Sequence, residues 1–186
     1  GSDGIGFAVD RNLFALDPDT GEQLWNRQFG PSTRFPFVLL NDQQFLAAFG
    51  DTVHAVGFDG EIRWEQTPAA DGDISTLAVG DETLYVGSRE DWVVALDTET
   101  GAELWRETID GLSYSLRTTV SGDTLYVDTD NAIRAYDGAD GTHRWTYSFE
   151  ETILTWPVIL PELLVVVTGS LVSGGPKAQT IHGVQL

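Results

Sequence analysis

The chain has 186 residues, 41% of them hydrophobic and 21% charged, with 20 Gly, 7 Pro and neither Cys nor Met. That is enough for one ordinary domain with its own core, and the missing thiols exclude disulfides, thiolate nucleophiles, iron–sulfur clusters and Cys-ligated zinc. A balance of 29 acidic against 10 basic residues, net −19, repels nucleic-acid phosphate and anionic lipid, and no apolar run approaches the ~20 residues that span a bilayer, so neither nucleic acid nor membrane insertion is expected.

Taken in chain order, the elements repeat. Residues 5–30 hold FAV from Phe7 and then FALDPDTGEQLW ending at Trp25, and residues 34–68 hold FLA from Phe45 and HAVGFDGEIRW ending at Trp64. Residues 73–110 carry LYV from Leu84 and VALDTETGAELW ending at Trp105, and residues 113–150 carry LYV from Leu125 and RAYDGADGTHRW ending at Trp145. Residues 153–186 supply LTWPVIL from Leu154, LLVVVTG from Leu163 and TIHGVQL from Thr180, with no closing tryptophan segment. The tryptophans are spaced 39, 41 and 40 residues apart. A period near 40 marks a blade.

The third unit shows the strands: ISTLAV from Ile74, TLYVG from Thr83, WVVALD from Trp92 and AELWRETI from Ala102. Runs rich in β-branched and aromatic residues, separated by Gly-Asp or Asp-Gly pairs, predict hairpin-linked antiparallel strands. The expected fold is all-β: one domain over residues 1–186, built of four-stranded β-propeller blades. About four and a half repeats are present, with three strands in the first unit and three in the fifth. Such an array leaves strand edges open at both ends. It is read as part of a longer propeller or as an assembly completed by a second copy.

The turn before each tryptophan explains its own composition. Asp17, Asp97 and Asp137 can accept hydrogen bonds from amides ahead of them, and Gly21, Gly60, Gly101 and Gly141 permit positive φ where the chain reverses. The pattern Ala-x-Asp-x-x-Thr-Gly-x-x-x-Trp resembles the tryptophan-docking motif of the pyrroloquinoline quinone (PQQ)-like propeller repeat family. Units one and three match it fully, unit four replaces the Thr with Asp140, and unit two is one residue shorter, with Gly57 at the Asp position. The resemblance implies that Trp25, Trp64, Trp105 and Trp145 each pack between adjacent blades. The family includes quinoprotein dehydrogenases, which hold PQQ and usually calcium, and non-catalytic propellers that bind proteins, among them a bacterial outer-membrane assembly lipoprotein. The enzymes are longer, and many carry a vicinal disulfide that this chain cannot form.

Candidate chemistry is sparse. The DPDTG, DTETG and DGADG stretches lack the full Asp-x-Asp-x-Asp-Gly calcium spacing and read as turns. His54, His143 and His182 are too separated for a metal triad, so no metal site is expected, and no nucleophile motif is present. One distribution stands out in so acidic a chain. Arg11, Arg34, Arg89, Arg117 and Lys177 map to connections between strands two and three, or between strand four and the next strand one. Those loops emerge on one propeller face, which also receives Trp92, Tyr114 and Trp156. This face is the candidate site for a protein segment or a small anionic ligand.

The expected function is therefore a non-catalytic binding or scaffolding propeller without cofactor. The alternative is a fragment of a PQQ-dependent dehydrogenase, for which PQQ and calcium would be needed. Expected partners are a protein or the remaining blades of a longer propeller. An extracellular or cell-surface location is favoured over the cytoplasm. Lys177 is the only lysine, and Asp outnumbers Glu 18 to 11. Acid-rich, lysine-poor folded surfaces resemble those of proteins from extreme halophiles, so a haloarchaeal source is expected.

Overall fold

A computed structural model of the chain describes residues 5–9, 12–29, 37–39, 44–68, 72–88, 90–110, 116–160, 162–169 and 179–185, with backbone alone for 5–9 and 37–39. The described residues form no helix. The first sheet is β1 (Ile5–Val9), β2 (Asn12–Leu16) and β3 (Gln23–Gln28). Three four-stranded meanders follow: β4 (Phe37–Leu39) to β5 (Gln44–Phe49), β6 (Thr52–Gly57) and β7 (Ile62–Gln66); then β8 (Ile74–Val79), β9 (Thr83–Ser88), β10 (Trp92–Asp97) and β11 (Glu103–Thr108); then β12 (Arg117–Ser121), β13 (Thr124–Asp128), β14 (Ala132–Asp137) and β15 (His143–Ser148). All pairings are antiparallel, and the array is an open propeller of successive sheets.

The fifth sheet corrects one expectation. Of LTWPVIL, read as a single strand from Leu154, only Val158–Leu160 forms one (β17); β16 (Thr152–Ile153) lies just ahead of it, both pair with β18 (Leu163–Gly169), and β19 (Gln179–Gln185) takes the other edge of β18. Pro157 lies in the gap. Proline has no amide to donate to the ladder, so the pairing is interrupted there.

The core lies between sheets rather than within them. Leu13, Phe29, Ala47, Phe49 and Val56 join sheets one and two. Leu46, Val53, Leu84, Val86, Val94 and Leu96 join two and three. Val93, Ile109, Leu116, Leu125 and Val127 join three and four, and Tyr126, Ile133, Phe149, Leu164 and Val166 join four and five. Central strands are accordingly buried on both faces: β13 is buried at every residue and β10 at five of six. The fourth strands instead show exposed residues around a half-buried tryptophan. At the inner edge, Thr76 of β8 and Thr118 of β12 share a hydrogen bond at 3.0 Å.

Candidate functional site

The turn that carries the docking motif is built from its own side chains. The Asp97 Oδ1 accepts from the Thr100 amide at 2.7 Å, the Thr100 hydroxyl at 2.6 Å and the Glu99 amide at 3.2 Å, while the Gly101 amide donates to the Asp97 carbonyl. Asp17 repeats the arrangement with Thr20 and Asp19. These bonds favour the ionised form, so both carboxyls are held below the ordinary carboxylate range, by the Thr20 amide first at Asp17 and by the Thr100 hydroxyl first at Asp97. Asp137 keeps the amide bond to Ala139, and where the threonine is missing Arg144 donates to its Oδ2 at 2.7 Å. In the shortened second turn, Asp59 takes the accepting role toward the Glu61 amide at 3.0 Å.

The turns of the second, third and fourth sheets are receptors for the tryptophan of the preceding sheet. The Trp25 Nε1 donates to the Phe58 carbonyl at 2.8 Å, Trp64 to Thr98 at 3.1 Å and Trp105 to Gly138 at 2.9 Å. The indoles lie on the turn glycines: a Cβ on Gly60, Gly101 or Gly141 would stand 2.8, 2.6 or 2.7 Å from Trp25, Trp64 or Trp105, and all three glycines have φ between +73° and +80°. These positions need glycine twice, for the backbone and for the ring above it.

A register shift repeated in the first four sheets aims the indoles. Ala15, Ala55, Ala95 and Ala135 lie opposite Trp25, Trp64, Trp105 and Trp145, and the ladder then skips one residue on the tryptophan strand, namely Leu24, Arg63, Leu104 or Arg144. A β-bulge of this kind bends the strand and redirects the side chain beside it. The periodicity of the sequence did not reveal it. Its visible trace is an apolar residue at 46% exposure at Leu24 and 52% at Leu104.

The two ends of the array differ from the middle. Among the described residues, nothing lies within 4 Å of a Cβ on Gly21, and the Trp145 Nε1 has no hydrogen-bond partner, although its ring keeps the tyrosine contact of the series. Tyr126 lies 5.9 Å from Trp145, as Tyr85 lies 5.9 Å from Trp105.

The two loop classes expected on one face do meet. The Ile74 amide donates to the Gly50 carbonyl at 2.8 Å, Ile109 to Asp91 at 2.7 Å, Phe149 to Asn131 at 2.8 Å and Ile153 to Asp130 at 2.7 Å. Of the side chains assigned to this face, Arg11, Arg34, Arg89, Tyr114 and Lys177 lie outside the described residues. Trp92 is 8% exposed within the core between sheets two and three, with the Arg106 guanidinium carbon 5.7 Å from its ring centroid.

Arg117 and Trp156 are brought together. Arg117, expected in a connection, is the first residue of β12 and sits directly opposite Asp128. Its Nε is 3.1 Å from the Asp128 Oδ2, its Nη2 donates to the Ile153 carbonyl at 3.3 Å, and its guanidinium carbon lies 5.7 Å from the Trp156 ring centroid. Trp156 is 55% exposed. Asp128 was missed because it interrupts no motif, yet LYVD in unit four replaces LYVG in unit three, a charged residue inside an apolar strand. Burial pushes its carboxyl up to about 7 against the opposing pull of Arg117.

His54 and His182 occupy matching positions. Each ring packs on the phenylalanine that ends the preceding sheet, His54 at 4.8 Å from Phe29 and His182 at 4.9 Å from Phe149. Among the described residues, no group of three or more His, Asp or Glu converges to hold a metal ion.

A family model described as outer membrane protein assembly factor BamB matches residues 9–77 and 51–184. BamB of Yersinia pestis is 24% identical over 128 residues, which is 67% of this chain and 32% of that protein. BamB of Alteromonas naphthalenivorans is 26% identical over 112 residues, 56% of this chain and 21% of its own length. The chain thus spans less than a third of the length of these curated relatives. Among solved structures, BamB from Moraxella catarrhalis superposes with a TM-score of 0.73 at 20% identity, over 96% of this chain and 61% of that one.

Proposed function

The chain belongs to the family of the outer membrane protein assembly factor BamB, and from that premise we propose that it is a non-catalytic propeller scaffold that binds protein through one loop face. The observation that carries this is the threefold indole-on-glycine dock, which fixes successive sheets rigidly and leaves the loops as the variable surface. A protein partner is favoured over a small anion, because the described cation on that face, Arg117, is already paired with Asp128. The relatives' name, an assembly factor of the outer membrane, supports work at a cell surface or envelope rather than in the cytoplasm. The acid-rich, lysine-poor composition supports a halophilic archaeal source. That, among the described residues, nothing covers the Gly21 turn and nothing bonds the Trp145 indole fits further blades, in the same protein or in a second copy.

A photo-cross-linking amino acid at exposed Trp156, compared with one at exposed Leu104 on the outer strand, tests the face. Cross-links to a partner protein from position 156 and none from 104 are expected; equal yields from both would overturn it. The alternative, a dehydrogenase fragment, would show bound-cofactor absorbance and dye-linked alcohol oxidation once PQQ and calcium are added.

A further inference from the structure

The side of the fifth sheet turned away from the fourth carries Val158 and Leu160 of β17, Leu163, Val165 and Val167 of β18, and Ile181 of β19. Their alternates, such as Leu164 and Val166, enter the core shared with the fourth sheet. Val158, Leu160 and Ile181 are exposed, and the other three are half-buried. No Asp, Glu, Lys or Arg occurs in β17, β18 or β19, in a chain of net charge −19. Charged side chains are the usual protection of an open sheet, and a contiguous apolar face on so acidic a surface marks a contact.

The molecule itself shows what such a face takes. Gly183 lies opposite Val165 on the ladder as Ala55 lies opposite Leu46, Ala95 opposite Tyr85 and Ala135 opposite Tyr126. Two residues ahead of them stand Ile181, Val53, Val93 and Ile133 respectively. Val53, Val93 and Ile133 are 0%, 1% and 0% exposed, each covered by the sheet that follows its own. Ile181 is 74% exposed. What covers its equivalents, three times over, is the apolar back of another sheet of this same repeat.

The chain holds one such back uncovered. In the third sheet Val94 and Leu96, the neighbours of Ala95, are fully buried against the second sheet. The corresponding neighbours of Ala15 in the first sheet are Phe14 and Leu16. Leu13 points into the core shared with the second sheet, so alternation puts Phe14 and Leu16 on the opposite side, where both remain only half-buried. Every copy of the chain therefore brings both halves of an interface that the fold already uses between its own sheets.

We propose that the fifth sheet of one chain packs on the first sheet of a second copy, head to tail, extending the array across chains. Apolar faces make the contact; it uses no indole dock, because the described fifth sheet has no tryptophan strand. The two faces differ, so each copy offers one of each to the next. Repulsion between chains of net charge −19 opposes the contact at low ionic strength and is screened in molar salt, so association should grow with salt.

The test is sedimentation velocity of the chain over a concentration series in molar KCl, where concentration-dependent association is expected. Ile181→Glu, at an exposed position, should weaken it about tenfold or more, because docking would then bury a carboxylate against apolar side chains. Leu104→Glu, which adds the same charge on an outer strand, should leave it unchanged. Engineered cysteines read the direction, without background in a chain that has none. In a mixture, a short bis-maleimide should join Ile181→Cys chains to Phe14→Cys chains and should join Ile181→Cys chains to one another far less. Equal weakening by both glutamates, or cross-linking of Ile181→Cys chains mainly to one another, would overturn the head-to-tail contact. A chain that stays monomeric throughout would overturn it too and assign the face to a further sheet of the same polypeptide. Cross-linking from Trp156 reads the loop face, so the failure of this contact is separable from the failure of the scaffold reading.

Discussion

Trp64 lies on Gly101 so closely that a Cβ there would stand 2.6 Å from the indole Cε3, whereas the equivalent atom on Gly21 would meet nothing within 4 Å. Both glycines have φ of +73°. Alanine at either position therefore carries the same backbone strain, and only at 101 does it also force the ring away. Gly21→Ala is expected to cost about 1 kcal/mol, and Gly101→Ala about 1–3 kcal/mol more. Chemical denaturation of the two variants checks this. If Gly21→Ala is as damaging as Gly101→Ala, an indole from another blade occupies the first turn in solution.

Trp105 offers a second contrast. Its Nε1 and the Tyr85 hydroxyl donate to the same carbonyl, that of Gly138, at 2.9 and 3.2 Å. Trp105→Phe leaves that carbonyl with one donor and keeps most of the packing, so a loss of about 1–2 kcal/mol is expected. Trp105→Ala should cost about 3–5 kcal/mol. Combining Trp105→Phe with Tyr85→Phe strips both side-chain donors, and the double variant should lose more than the sum of the singles. Additive losses would show that the two donors act independently.

The docking array was legible in the sequence because its parts are local. Asp97, Thr100 and Gly101 make one turn from neighbouring atoms, and a 40-residue period announces its repetition. The partners across sheets were legible only as a family expectation. Nothing in the string of residues says that Trp105 donates to the Gly138 carbonyl, 33 residues away, because a backbone oxygen has no letter of its own. The bulge at Leu104 was hidden for a related reason, since one unpaired residue leaves alternation nearly intact. Arg117 was legible as a cation on that loop face but not as a paired one. Its partner Asp128 is eleven residues on, and their meeting depends on the β12–β13 register. That the His54 ring would lie on Phe29 was out of reach altogether, because the contact is made between two sheets.

The Arg117–Asp128 pair predicts a pH dependence of definite sign. Asp128 ionises near 4 in the unfolded chain and at about 7 in the folded one. Between these values the folded state holds a proton that the unfolded state lacks. The stabilisation is fully present below about pH 4 and is lost as pH rises through about 7. His54, lowered by burial, acts in the opposite sense in part of that window, because the unfolded chain binds the proton more tightly. The difference between wild type and Asp128→Asn isolates the carboxyl. Melting temperature measured from pH 4 to 8 in molar salt should fall more steeply in wild type than in the variant. Parallel curves would mean that Arg117 keeps Asp128 ionised throughout. Arg117→Met, which strands the carboxylate, is expected to cost about 3–5 kcal/mol at pH 8 and clearly less at pH 5.

Salt should act on the whole surface in the opposite direction to its action on single pairs. The ion pairs Arg27–Glu61, Arg63–Asp59 and Arg144–Asp123 are exposed on at least one side, and each weakens as salt rises. Ten basic residues can pair with only a minority of 29 acids, so most carboxylates meet other carboxylates. The Debye length falls from about 10 Å at 0.1 M to about 3 Å at 1 M, which removes repulsion between neighbouring blades. Repulsion involves more charges than attraction does, so its removal dominates. Melting temperature is therefore expected to rise between low and molar KCl, and to rise with KCl as it does with NaCl, since screening depends on ionic strength. A flat or falling profile would mean that the few arginine pairs outweigh the excess acid, and the halophilic reading of this surface would be lost with it.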